Sequence, residues 1–377
     1  MVRVVDISAW VGGKKSSYND AAKDECATEL DQALQETGMV IITGHGVPKV
    51  ILNDLLKSMD EWFSSMSVED KEKRFTLGPY GCIEGGYTKM GIEAVGASVG
   101  KDALKNVDGV ESFVFRGKPT KFTGKEAPRM QPMADAYYDH VTRLLATLHA
   151  IICHALGVDE NFFYESGIIP STDIHSLKLS YYPHEESASP DNLRYGAHTD
   201  FQDLTVLRPS QFDWVPLHRG SSRSGDADGA DGADGADGAD DGEVVTSGGL
   251  QVYDKKTEQW QCVVVPDGGE GDEPLCVNLG DFWEIWSHGK YVSPLHRVTA
   301  YGYKVKRSQA KAGVKEGEAV GSCVARKSVI FFSVPDDRAV IKPLPGVLPT
   351  KGSSFMYDGV ERSAGEHLAM KLARINA

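Results

Sequence analysis

No apolar run in this chain approaches the roughly 18 to 20 residues needed to cross a bilayer. Its six cysteines (Cys26, Cys82, Cys153, Cys262, Cys276, Cys323) contain no C-x-x-C pair. That scatter speaks against a zinc knuckle or a disulfide framework and for reduced thiols. The opening Met1-Val-Arg-Val-Val-Asp-Ile-Ser8 lacks the apolar core and cleavage site of a signal peptide. Positive charge is short too: Lys and Arg number 40 against 54 Asp and Glu, a formal net charge of −14. General nucleic-acid binding is therefore not expected. The absences together suggest a cytoplasmic protein with no membrane or nucleic-acid partner, and a monomer is expected.

What is present fits a globular chain. With 377 residues, 41% apolar and 25% charged, it can bury a large core. Much of the negative charge is local. A Gly-Ala-Asp repeat at about 221–242 holds Asp226, Asp228, Asp231, Asp234, Asp237, Asp240 and Asp241. Seven like charges with almost no apolar content cannot offset the entropy of ordering. The repeat reads as a disordered acidic insertion within a domain.

Two regions differ in periodicity. Residues 1–170 read as a mainly helical N-terminal region, residues 171–377 as a mainly β domain. In the first, a short strand (2–7) precedes a helix at 24–37, a strand at 39–43 and a helix at 49–66. Ser67 and Asp70 have capping-box spacing, Gly78 to Gly100 has no period, and a long helix covers 133–156. From Leu177 the pattern becomes short β-runs at 177–182, 204–207, 250–253, 262–265, 275–279, 297–303 and 329–334, which suggest a sandwich or jelly roll. A helix at about 365–374 closes the chain and is expected across the barrel mouth.

The chemistry centres on Tyr195-Gly-Ala-His-Thr-Asp200. His198 and Asp200 stand two apart, so in an extended backbone both point to one face. A second histidine from a distant strand would complete a 2-His-1-carboxylate triad, which leaves one side of a metal open, as non-haem Fe(II) oxygenases require. His296, at the start of a β-run, is the partner chosen. His184 also has an acid two residues on, but sits in a polar loop after Pro183. His45, flanked by glycines, reads as a turn residue, and His140, His149 and His154 as packing or surface residues of the long helix. Further on, Arg326 and Ser328 share one face of a strand. A buried guanidinium and hydroxyl are costly unless they meet an anion, and a dicarboxylate would fit.

In this order the motifs resemble the isopenicillin N synthase-like branch of the Fe(II)/2-oxoglutarate-dependent dioxygenases. Gly38-Met-Val-Ile-Ile-Thr-Gly-His-Gly-Val-Pro48 is similar to its N-terminal strand and turn, with Gly86-Tyr87 and Glu111-Ser112-Phe113 following. Ser180-Tyr-Tyr-Pro183, His198-Thr-Asp200, Gly249-Leu-Gln-Val252, Val277-Asn-Leu-Gly-Asp281, Leu295-His-Arg-Val298, Arg326-Lys-Ser328 and Phe331-Phe-Ser-Val-Pro335 complete the series. The resemblance implies a double-stranded β-helix (jelly roll). It implies iron on His198, Asp200 and His296, and 2-oxoglutarate on Arg326 and Ser328 with Tyr182 and Ser180. O₂ would be the second co-substrate, and Phe332 would face the substrate. Tyr80, Tyr87, Glu93, Arg194, Glu366, His367 and Lys371 are further substrate candidates. Three departures stand out: Ser180 where the family usually has asparagine, the acidic insertion, and a Lys/Glu/Gly-rich insertion at about 304–322.

The implied reaction couples decarboxylation of 2-oxoglutarate to succinate and CO₂ with hydrogen abstraction from a small molecule, ending in hydroxylation, desaturation or ring closure. The rival within the enzymes is an isopenicillin N synthase-type or aminocyclopropane-carboxylate-oxidase-type oxidase that consumes no 2-oxoglutarate. Outside them stand a non-catalytic small-molecule binding protein on the same scaffold, and a zinc hydrolase. The hydrolase has no reason to keep Arg326 beside Ser328.

Overall fold

The structure, a computed structural model, describes residues 2–12, 20–75, 85–98, 108–118, 128–170, 174–183, 193–209, 243–246, 249–266, 272–299, 303–306, 325–351, 353 and 359–375. The acidic repeat, Tyr80, His184 and most of the 304–322 segment lie outside these residues.

The helices are α1 (Asp20–Thr37), α2 (Lys49–Ser64), α3 (Val68–Phe75), α4 (Gln131–Leu156), α5 (Phe162–Glu165), α6 (Phe282–Trp286) and α7 (Ala364–Ile375). Their ends carry local signals. The Asp70 N–H donates to Ser67 Oγ at 3.1 Å, the expected cap of α3. Helix α4 stops where Gly157 turns left-handed at φ 70° and its N–H returns to the last turn. At α7, Ser363 and Glu366 cap each other reciprocally, at 2.8 and 3.2 Å.

The first seven strands are β1 (Arg3–Asp6), β2 (Met39–Thr43), β3 (Gly86–Thr88), β4 (Glu111–Arg116), β5 (Ser176–Tyr182), β6 (Leu193–His198) and β7 (Leu204–Pro209). Next come β8 (Glu243–Thr246), β9 (Leu250–Asp254), β10 (Gln259–Cys262), β11 (Leu275–Leu279) and β12 (His296–Thr299). The last are β13 (Tyr303–Lys306), β14 (Arg326–Phe332), β15 (Val340–Ile341) and β16 (Arg362–Ser363). The large sheet runs β1-β2-β11-β7-β14-β5-β4-β3, and a smaller one runs β10-β9-β12-β6. This is the expected jelly roll with a helix-rich N-terminal part, although β1 to β4 from that part join the same large sheet.

Three strand assignments change. The run at 262–265 is strand only up to Cys262, and the run at 297–303 divides into β12 and β13. Strand β13 pairs with β8, so the segment expected as a loop after Lys304 begins as a ladder. Strand β4 shows no clear period because it is buried along nearly its whole length.

The large sheet has two chemically different faces. Leu177, Leu179, Val329, Phe331, Phe113, Val206 and Val277 pack into the main core with the side chains of α1, α2 and α4. The alternate residues Tyr182, Leu207, Cys276, Met39 and Ile41 join Leu250, Val252 and Val298 of the small sheet in a second cluster. This second cluster fills the barrel. Period-two alternation thus sends neighbours in sequence to two different environments. Among the described residues, no helix is long and apolar enough to cross a membrane.

Candidate metal centre

Strands β6 and β12 pair antiparallel with His296 directly opposite His198, and β9 places Val252 against His296 on the other side. The two imidazoles lie 4.2 Å apart between ring centroids. Each ring is fixed by its own strand. His198 Nδ1 donates to the Gly196 carbonyl at 2.8 Å, and His296 Nδ1 to the Pro294 carbonyl at 3.0 Å. A carbonyl can only accept, so each Nδ1 carries the proton and each Nε2 presents a lone pair. Both Nε2 atoms face Asp200 Oδ1, at 3.6 and 3.8 Å. Burial, then the neighbouring His296, depress the His198 imidazole to about 3. A neutral ring is the form that ligates a metal.

Asp200 is aimed from behind. Its Oδ2 accepts from Thr205 Oγ1 and from Asn278 Nδ2, both at 2.5 Å, which leaves Oδ1 to the histidines. Two glycines permit the close packing. A Cβ on Gly280 would sit 2.3 Å from the Gln202 carbonyl, and one on Gly196 would sit 2.8 Å from the Gly96 backbone nitrogen.

Beside the triad, β14 and β5 align Arg326 with Tyr182 and Ser328 with Ser180. All four side chains are buried. The Arg326 guanidinium lies 5.4 Å from the Tyr182 ring centroid. Ser180 Oγ is buried and makes no hydrogen bond among the described residues.

The substrate candidates divide. Phe332 is half-buried on the strand face shared by Arg326 and Ser328. Glu93 enters the barrel, where it accepts from Lys178 Nζ, from Tyr195 Oη at 3.0 Å and from Ser112 Oγ at 2.7 Å. Burial alone would raise the Glu93 carboxyl, but the Lys178 ammonium and these donors hold it below its ordinary value. Asp108 ties the same loop to β6 through the Val95 and Gly196 N–H groups, and burial lifts its carboxyl to about 6.

The other candidates have partners within the protein. Tyr87 is a correction, since it pairs with Phe113 on the helix-facing side. There its ring meets Trp62 at 5.8 Å and its hydroxyl donates to Glu111 at 2.6 Å. Arg194 is buried in β6. It donates to the Pro183 carbonyl at 2.5 Å and lies 5.7 Å from the Tyr182 ring, at the Arg326 end. Glu366 caps α7, while His367 and Lys371 reach Asp281 Oδ2 at 3.4 and 2.6 Å. His45 has both ring nitrogens engaged, with the Val47 N–H at 3.1 Å and the Glu273 carbonyl at 2.8 Å, as a turn residue should.

Comparison with known proteins gives this geometry a family. Residues 2–134 match the model described as non-haem dioxygenase in morphine synthesis N-terminal, and residues 240–335 match that of the 2OG-Fe(II) oxygenase superfamily. The chain belongs to the 2OG-Fe(II) oxygenase superfamily. It is similar to validamycin A dioxygenase of Streptomyces hygroscopicus subsp. limoneus, 24% identical over 94% of this chain and 82% of that protein. Leucoanthocyanidin dioxygenase 2 of Oryza sativa subsp. japonica is 23% identical over 98% of this chain and 80% of that protein. The crystal structure of a full-length Neurospora crassa protein in complex with alpha-KG and thymine shares the fold, with TM-score 0.67 and 18% identity over 99% of this chain and 96% of that one.

This oxygenase is therefore a non-haem enzyme that uses Fe(II), 2-oxoglutarate and O₂. Its residues fit those groups. Among the described residues, His198, Asp200 and His296 are the group whose donor atoms could hold an ion, all within 4.8 Å of one another. The orphaned Ser180 hydroxyl beside Arg326 is an inward-facing polar atom suited to a ligand's oxygen.

Thr205, Asn278, Asp203 and Lys178 escape the sequence reading. Asn278 leaves a usable signal, the one polar residue in the apolar run Leu275–Leu279.

Proposed function

We propose that this oxygenase binds Fe(II) through His198, Asp200 and His296, holds 2-oxoglutarate against Arg326, and takes a hydrogen atom from a C–H bond of a small organic substrate. One observation carries the reading: two lone-pair Nε2 atoms and Asp200 Oδ1 converge within 4.8 Å of one another, on three buried residues. His198, Asp200 and His296 would hold the metal with only three protein donors, which would leave room for a chelating co-substrate and O₂. Held there, iron would supply the oxidising chemistry, with 2-oxoglutarate as the electron donor that leaves as succinate and CO₂.

The chain's own part is to bind, orient and exclude water. Thr205 and Asn278 keep one Asp200 oxygen occupied so that the other stays directed at the metal. Arg326 holds the distal carboxylate of 2-oxoglutarate by charge-assisted hydrogen bonds, with the Ser328 and Ser180 hydroxyls and Tyr182 beside it. Serine at position 180 is shorter than the family's usual asparagine, so it gives the co-substrate one contact fewer. The substrate lies toward Phe332.

Relatives named for validamycin A and leucoanthocyanidin, and a fold neighbour crystallised with thymine, each handle a small molecule on this scaffold. A small organic substrate is the class proposed here, with hydroxylation, desaturation or ring closure as the outcome. The test is a screen of amino-acid-derived, terpenoid and phenolic compounds for substrate-dependent succinate release under air with Fe(II). A compound that raises succinate in step with an oxidised product identifies the substrate. Full product formation without 2-oxoglutarate would overturn the co-substrate assignment and give Arg326 to a carboxylate of the substrate.

A further inference from the structure

Behind the metal centre lies a second carboxylate, more deeply buried than Asp200 and unused by the chemistry. The Asp203 side chain is wholly enclosed, as is that of His149. A buried carboxylate is costly unless its oxygens are satisfied. Asp203 is satisfied by three different parts of the fold. Oδ1 accepts from Trp283 Nε1 of α6 at 3.0 Å. Oδ2 pairs with His149 Nε2 of α4 at 2.9 Å and accepts from Ser333 Oγ, just beyond β14.

The main chain around it is fastened in the same direction. The carbonyls of Asp200, Gln202 and Asp203 accept from the N–H groups of Asp281, Phe282 and Gly280, at 2.9, 3.0 and 2.5 Å. The loop that bears Asp200 is thus laced to the start of α6 by its backbone and bolted to the same helix by the Asp203 side chain. Two residues beyond Asp203 comes Thr205, which holds Asp200 Oδ2. Ser333 directly follows Phe332 and returns its own N–H to the Leu204 carbonyl at 2.8 Å.

We propose that Asp203 is a positioning residue for the metal centre: with His149, Trp283 and Ser333 it fixes the loop that aims Asp200, and so sets metal affinity. This rests on the reading of Asp200 as a ligand. Neutralising Asp203 leaves His149 and Ser333 without their shared acceptor, so the loop relaxes and both Asp200 and Thr205 turn. Loss of a group that orients a ligand typically weakens metal binding by about 10- to 100-fold.

The test measures Mn(II) binding to the full-length protein with 2-oxoglutarate present, by titration calorimetry or the loss of free Mn(II) electron paramagnetic resonance signal. Melting is followed on the same samples. Asp203→Asn should bind Mn(II) about tenfold or more weakly, and Ser333→Ala by an intermediate factor. Leu55→Ala, a core change in α2 remote from the loop, should melt lower yet bind like the wild type. Asp203→Asn binding within about twofold of wild type, or Leu55→Ala losing as much affinity, overturns the proposal. Should Asp203→Asn fail to fold, Ser333→Ala and Trp283→Phe decide the matter, and unchanged affinity in both rejects it. Asp200→Ala is the separate control. Wild-type affinity in that variant sinks the ligand assignment itself, whatever Asp203 does.

Discussion

The two faces of the large sheet are made by alternate residues of the same strands, yet they do different work. On β5, Leu177, Leu179 and Tyr181 turn to the helices, while Lys178, Ser180 and Tyr182 turn into the barrel. On β14, Val329 and Phe331 pack against the helical layer, while Arg326 and Ser328 face inward. The helix-facing side is mainly apolar and aromatic, Glu111 and Lys327 being paired exceptions, so burial there stabilises by removing surface from water. The inward side buries charges and hydroxyls, which is unfavourable unless each meets a partner or a ligand. Stability and chemistry are separated by one residue along the chain.

That separation can be broken at either face. The largest effect belongs to the metal ligands: His198→Ala, Asp200→Ala and His296→Ala should each abolish Fe(II)-dependent succinate formation. Melting of the metal-free protein should stay near wild type, since none of the three packs in the apolar core. Next comes Arg326→Leu. Loss of one partner from a buried charge pair costs about 3–5 kcal/mol, so KM for 2-oxoglutarate should rise by about two orders of magnitude or more. Ser328→Ala should be a milder form of the same defect. Steady-state kinetics at varied 2-oxoglutarate checks both.

The opposite face should behave in reverse. Leu179→Ala, one residue from Ser180, removes a fully buried side chain and should cost about 2–5 kcal/mol in denaturant unfolding. KM for 2-oxoglutarate should hardly move. If Leu179→Ala and Ser328→Ala instead shift stability and KM together, the two faces are not independent.

The smallest effect is one of pH. His175 is buried beside Phe331 and Tyr138, and its Nδ1 accepts the Val334 N–H at 3.0 Å. Burial lowers its imidazole from 6.5 to about 4, so the fold favours the neutral ring. A depressed histidine contributes stability that is present above its unfolded value and lost as pH falls from 6.5 toward about 4. The limiting slope is about 1.4 kcal/mol per pH unit. Urea unfolding across that window should show the decline, and His175→Gln should flatten it.

The sequence exposes the site more clearly than the scaffold that aims it. His198 and Asp200 are legible because two-residue spacing on a strand is local, and His296 because it opens a β-run ahead of Arg326. The boundaries of α1 to α4 follow, within a few residues, from apolar periodicity and capping residues. Strands β3 and β4 do not, since strands buried on both faces lose the alternation that marks them. Tyr87 is misplaced by sequence alone because the face of a three-residue strand depends on its partner: register with Phe113 decides it. The contacts of Asp203 with His149 and Trp283 join residues 54 and 80 positions apart, and no local pattern announces them.

The central claim is that the barrel interior holds iron and 2-oxoglutarate together, between His198 and His296 of the small sheet and Arg326 of the large one. It is tested most directly by anaerobic titration of Fe(II) and 2-oxoglutarate into the wild-type protein, His296→Ala and Arg326→Leu, following the visible charge-transfer absorption of the chelate. The account predicts one chelate per wild-type chain, none in His296→Ala, and in Arg326→Leu the same band reached only at far higher 2-oxoglutarate. An undiminished band in His296→Ala, or wild-type 2-oxoglutarate dependence in Arg326→Leu, would contradict it.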